Sequence, residues 1–146
     1  MDILLVEDNK SDAFLLKELF AKKSNAPEIH WVVDGYDALD YVFRRKQYQD
    51  APRPDVILLD LKLPRISGYE VLKQIKSVPG YADIPVVILT TSLNPLDHTQ
   101  CKALGADICL SKPYGLKDYE SMVQRLMSWA ALRVLDEAMM TSGVAH

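Results

Sequence analysis

The sequence predicts a doubly wound α/β domain, a parallel sheet covered by helices. Two observations carry this. Five short β-rich runs recur along 146 residues, and each is followed by a segment of helical period. Three of these runs, DILLV (2–6), DVILLD (55–60) and IPVVILT (84–90), are almost unbroken in apolar residues. That is the pattern of strands buried on both faces.

The remaining strands are EIHWVV (28–33) and DICLS (107–111). Between strands, Leu15, Leu16, Leu19 and Phe20 form one apolar helical stripe, opposite Lys17, Glu18, Lys22 and Lys23. Ala38, Leu39, Val42 and Phe43 form a second, and Val71, Leu72 and Ile75 a third. A fourth helix covers about 95–104 and stops at Gly105, a C-cap glycine. A fifth begins near Gly115 and continues to about Met139. Right-handed crossovers and five strands fit the flavodoxin-like order 2-1-3-4-5 rather than a six-stranded dinucleotide fold. The polar stretches KQYQDAPRPD (46–55) and PGYADIP (79–85) are loops. No repeat or second domain is visible.

Composition narrows the classes. A chain that is 49% hydrophobic and 25% charged, with net charge −3, is an ordinary globular domain. It has no basic run longer than FRRK (43–46), so nucleic acid is not an expected partner. No apolar stretch has the length of a membrane span, and the sequence opens into a strand rather than a leader. Cys101 and Cys109 lack metal-ligand spacing and read as reduced thiols, which places the protein in the cytoplasm. His30, His98 and His146 also lack such spacing.

Ligands of open α/β sheets bind beyond the carboxyl ends of the strands. The first strand ends in Glu7 and Asp8, the third in Asp60, the fourth in Thr90, Thr91 and Ser92, and the fifth in Lys112 and Pro113. Carboxylates gathered at one edge repel unless a cation sits among them. Mg²⁺, a hard ion that takes one or two carboxylates plus water and phosphate oxygens, suits this set. A lysine suits a phosphoryl oxygen. Three enzyme classes fail on spacing. A flavin-phosphate loop would be repelled by Glu7 and Asp8, a dehalogenase-type phosphatase needs an Asp where Lys62 stands, and no G-x-x-x-x-G-K-[ST] is present. The plainer alternatives are that Glu7 and Asp8 cap the first helix, Thr90 is a β-branched strand residue and Lys112 is a solvated loop lysine.

The acidic pair ED (7–8), DLKLPRISG (60–68), VVILTTS (86–92) and SKP (111–113) stand in the order and spacing of a two-component response-regulator receiver domain, which the chain resembles over about 1–127. The resemblance implies that Asp60 accepts a phosphoryl group and that Glu7 and Asp8 hold Mg²⁺, Asp8 foremost. Asp60 and the backbone carbonyl of Lys62 would complete the protein's share of the metal shell. Thr90 and Lys112 would engage the phosphoryl oxygens, Gly68 would start the third helix, and a cis bond before Pro113 would aim the lysine. Many relatives carry an aromatic ring three residues before the lysine, and here Cys109 stands there. A thiol cannot fill or vacate that volume, which points to backbone movement around 90–94 or to another aromatic such as Tyr114.

No output domain follows, so 1–127 is expected to be the receiver and 128–146 a helical extension. The implied role is a single-domain regulator, phosphorylated by a histidine kinase of phytochrome or hybrid type, that signals through protein contacts. The alternatives are a relay intermediate that passes the group to a histidine phosphotransfer protein, or an unphosphorylated scaffold. Met122, Leu126 and Trp129 continue into Leu132, Leu135 and Met139 at helical spacing, a stripe that fits a homodimer.

Overall fold

The structure, a computed structural model, describes residues 1–141. The end of the expected tail, 142–146, with Gly143 and His146, lies outside the described residues. Strands β1 (Asp2–Val6), β2 (Glu28–Val32), β3 (Val56–Leu59), β4 (Val86–Thr90) and β5 (Ile108–Ser111) form one parallel sheet in the order β2-β1-β3-β4-β5. They alternate with α1 (Lys10–Ala21), α2 (Gly35–Val42), α3 (Gly68–Lys76), α4 (Pro95–Ala103) and α5 (Leu116–Thr141). This is the flavodoxin-like arrangement expected from the apolar runs. The chain divides into two units, Met1–Lys112 and the segment from Pro113 onward.

In the first unit, Leu4, Val6, Ile57, Leu59, Val86 and Ile88 join α2 and α3 residues such as Leu39, Val71 and Ile75 in one core. The alternate set, Ile3, Leu5, Leu58, Val87 and Leu89, is buried as well. Burial of both sets is why these strands read as unbroken apolar runs rather than as alternation. β5 is different, with all four residues half-buried. β2 stops one residue short of the expected run, and Val33 is exposed.

The helices begin on side-chain caps. Asn9, Asp34, Ser67 and Asn94 accept from the backbone N–H of Asp12, Asp37, Glu70 and Leu96 respectively, each cap contributing about 1 kcal/mol. Asn9, not the acidic pair before it, therefore caps α1, and Glu7 and Asp8 are left for other work. Gly105 follows α4 at φ +105°, a conformation that suits glycine at a helix end.

In the second unit, α5 is one uninterrupted helix of 26 residues. It runs straight through the expected boundary at 127/128. Tyr119, Met122, Val123, Leu126 and Ala130 are buried, whereas Leu132 and Leu135 are exposed.

Candidate functional site

Register brings the strand ends together. Val6 lies opposite Val32 on one side and Leu59 on the other. The next residues continue the ladder: Glu7 N–H donates to the Val32 carbonyl at 3.1 Å, and Asp60 N–H to the Val6 carbonyl at 3.1 Å. Glu7 and Asp60 thus stand side by side at the carboxyl edge, as expected from the sequence. Lys112 reaches the same edge because its N–H donates to the Thr90 carbonyl at 2.7 Å.

Glu7, Asp8 and Asp60 each present a carboxylate oxygen, all within 4.8 Å of one another. Glu7 and Asp60 are buried and Asp8 is exposed. The Lys112 ammonium lies among them, 2.6 Å from Glu7 Oε1, 3.2 Å from Asp60 Oδ2 and 3.0 Å from Asp12 Oδ2. Backbone donors hold the carboxylates from the other side. Asn9 N–H donates to Glu7 Oε2 at 3.1 Å, and Lys62 N–H to Asp60 Oδ1 at 3.2 Å. The Glu7 carbonyl accepts from the Trp31 indole at 2.8 Å, which gives that ring a polar anchor at the sheet edge.

Burial is the largest influence on Glu7 and pushes its carboxyl up to about 7; the Lys112 hydrogen bond restrains the rise, and the Asp60 charge adds to it. Burial also works against the Lys112 ammonium. Hydrogen bonds to Glu7 and Asp12, with the Asp60 charge, outweigh it and hold the lysine above its ordinary value. Lys112 is therefore a fixed, buried cation, not a solvated loop lysine.

Three convergent carboxylates, two buried and one open to solvent, are a donor set for a hard divalent ion. Thr90 is fully buried, and its hydroxyl oxygen accepts from Ser92 N–H at 3.2 Å. It lines a cavity of about 280 Å³ together with Leu61, Lys62, Leu63 and Tyr69.

Gly68 is where the loop after β3 returns to the site. Its N–H donates to the Leu61 carbonyl at 2.8 Å. A Cβ there would lie 2.2 Å from the Asp60 carbonyl oxygen and 2.7 Å from Leu61 Cα. These are backbone atoms and cannot move aside cheaply. Gly68→Ala is expected to cost about 1–3 kcal/mol, read as a lowered urea midpoint; an unchanged midpoint would contradict this packing.

The sequence profile of the response regulator receiver domain matches residues 3–124. The chain belongs to that family. Response regulator Rcp1 of Synechocystis sp. is 41% identical over 127 residues, covering 87% of this chain and 86% of that protein. The Mn²⁺-bound form of Rcp1 superposes with a TM-score of 0.82, at 41% identity over 87% of this chain and 91% of that one. The phosphorylated cyanobacterial phytochrome response regulator RcpA gives a TM-score of 0.85 at 38% identity, covering 89% and 93%.

Several features of this receiver escaped the sequence. Asp12, on the first turn of α1, is a partner of Lys112; an acid there reads simply as complementing the helix dipole. Asp97 accepts from both the Tyr69 hydroxyl and Ser92 Oγ, a chain that links α3, the loop after β4 and α4. Arg65, at φ +73°, donates to Asp34 at 2.9 Å and lies 4.5 Å from the Tyr36 ring, tying the loop after Asp60 to the start of α2.

One expectation drawn from the resemblance does not hold. No cis peptide bond occurs among the described residues, so the Lys112–Pro113 bond is trans and three carboxylates aim the lysine instead. Tyr114, the other aromatic named above, is 91% exposed. Cys109 itself is half-buried, with Sγ 3.7 Å from the His98 carbonyl, and both cysteines are free.

Proposed function

We propose that Asp60 accepts a phosphoryl group, with Mg²⁺ held by Glu7, Asp8, Asp60 and the backbone carbonyl of Lys62. The observation that supports this most is the placement of the Lys112 ammonium and two further carboxylates around one fixed, barely exposed Asp60. Bound Mg²⁺ would supply charge to balance the phosphoryl oxygens.

The chain's own residues do the rest. An Asp60 oxygen attacks phosphorus, an O–P bond forms, and the donor's bond to phosphorus breaks with its electron pair leaving on the donor. The Lys62 N–H fixes one Asp60 oxygen and so selects the other for attack. Lys112 meets the charge on the transferring oxygens, and the Thr90 hydroxyl, whose oxygen accepts from Ser92 N–H, still has its hydrogen to donate to one of them.

The donor in this reading is a histidine kinase, and likeness to Rcp1 and RcpA favours one of phytochrome type. The output is contact with another protein in the cytoplasm, within a receiver of 1–127 carrying a helical extension. No described helix is long and apolar enough to cross a membrane. The metal is tested by calorimetry. Asp8→Asn is expected to weaken Mg²⁺ binding about tenfold while leaving the fold intact, because Asp8 is exposed and caps nothing. Unchanged affinity would remove Asp8 from the metal shell.

The extension supports self-association. Leu132 is 63% and Leu135 55% exposed on a continuous helix, and Met139 prolongs their spacing. One such stripe is self-complementary about a two-fold axis. Sedimentation of the full chain is expected to show a dimer at micromolar concentration, and a monomer for Leu132→Lys combined with Leu135→Lys. A monomer in both cases would refute the dimer.

A further inference from the structure

We propose that Asp12 is a positioning residue for this site, the partner that keeps Lys112 in place when a divalent cation takes Glu7 and Asp60. The inference rests on the metal reading above and extends it to a residue outside the metal shell.

A lysine ammonium offers three N–H donors and no acceptor. Here its three carboxylate neighbours are Glu7 at 2.6 Å, Asp12 at 3.0 Å and Asp60 at 3.2 Å, and only 6% of the side chain is exposed. Two of those three carboxylates belong to the group that can converge on a metal. A divalent ion there would draw on the same two carboxylates as the ammonium and would repel it. Asp12 lies outside that group, so it is the one carboxylate a metal would leave to the lysine.

Asp12 is held for this task. Its N–H donates to Asn9 Oδ1 at 3.0 Å, which locks it into the first turn of α1. Its carboxylate is partly buried, with 26% of the side chain exposed, so its pairing with Lys112 is not dissolved in bulk water. Without Asp12, Lys112 has only the metal's own ligands as partners, and metal and lysine become direct rivals.

A plain negative charge near the site would also favour a cation, but that effect would not pass through Lys112. A double-mutant cycle separates the two. Mg²⁺ affinity is measured by calorimetry on the full chain as wild type, Asp12→Ala, Lys112→Met and the double variant. Asp12→Ala is expected to weaken Mg²⁺ binding about tenfold when Lys112 is present and less than about twofold when it is absent. Asp12→Glu is expected to restore most of the loss. If circular dichroism shows Lys112→Met unfolded without metal, Lys112→Gln takes its place in the cycle. Equal losses in both lysine backgrounds, or no loss in either, would overturn the positioning role while leaving the metal site standing. A wild-type chain that binds no Mg²⁺ would instead overturn the metal reading, and the inference with it.

Discussion

Asp60→Asn is expected to abolish phosphorylation by acetyl phosphate altogether, so that intact mass spectrometry shows a single phosphate adduct on the wild type and none on the variant. The amide has no anionic oxygen to attack phosphorus. It also removes one ligand from the carboxylate group and one partner from Lys112. The fold is expected to survive, because the amide oxygen can still accept from Lys62 N–H, and the Asp60 main chain stays bonded to Val6. An adduct of equal yield on the variant would move the acceptor elsewhere.

The second large effect is on stability. Lys112→Met is expected to cost about 3 kcal/mol in metal-free buffer, because it strips the cation from buried Glu7 and Asp60. The loss should depend on pH. Glu7 already stands at about 7, chiefly through burial, against an ordinary value of 4.5, and Lys112 is among the groups that hold it down. An acid whose folded-state pKa is raised contributes stability below its unfolded value and loses it as pH rises through the folded value. Without the lysine that rise is larger, so the penalty is expected to be small near pH 4.5 and to grow upward through neutrality. Urea midpoints of both proteins across that range would show it, and added Mg²⁺ should recover part of the loss. A penalty that does not vary with pH would mean that Lys112 acts through packing alone.

The sheet was legible because burial on both faces leaves a one-dimensional trace, the unbroken runs at β1, β3 and β4. Glu7, Asp60, Thr90 and Lys112 were legible for a related reason. Glu7, Asp60 and Thr90 each stand at the end of an apolar run, Lys112 follows the mixed fifth strand, and the topology sends all those ends to one edge. Asp12 left no such trace. It sits among the polar residues of an amphipathic helix, and only three-dimensional proximity, across a separation of 100 residues, distinguishes it from Glu18. The chain from Tyr69 through Asp97 to Ser92 was hidden in the same way, since a tyrosine in the first turn of α3 reads as one more helix residue. The trans bond before Pro113 marks where likeness to a family outran what these residues dictate.

The most direct test of the whole arrangement is a Mg²⁺ titration of the wild-type chain in excess acetyl phosphate, with adduct formation followed by intact mass. If the carboxylates, the metal and Lys112 act as one acceptor site, no adduct forms in chelator, and the rate rises to saturation with a midpoint that matches the calorimetric Mg²⁺ affinity. An equal rate in chelator, or a midpoint unrelated to that affinity, would contradict it.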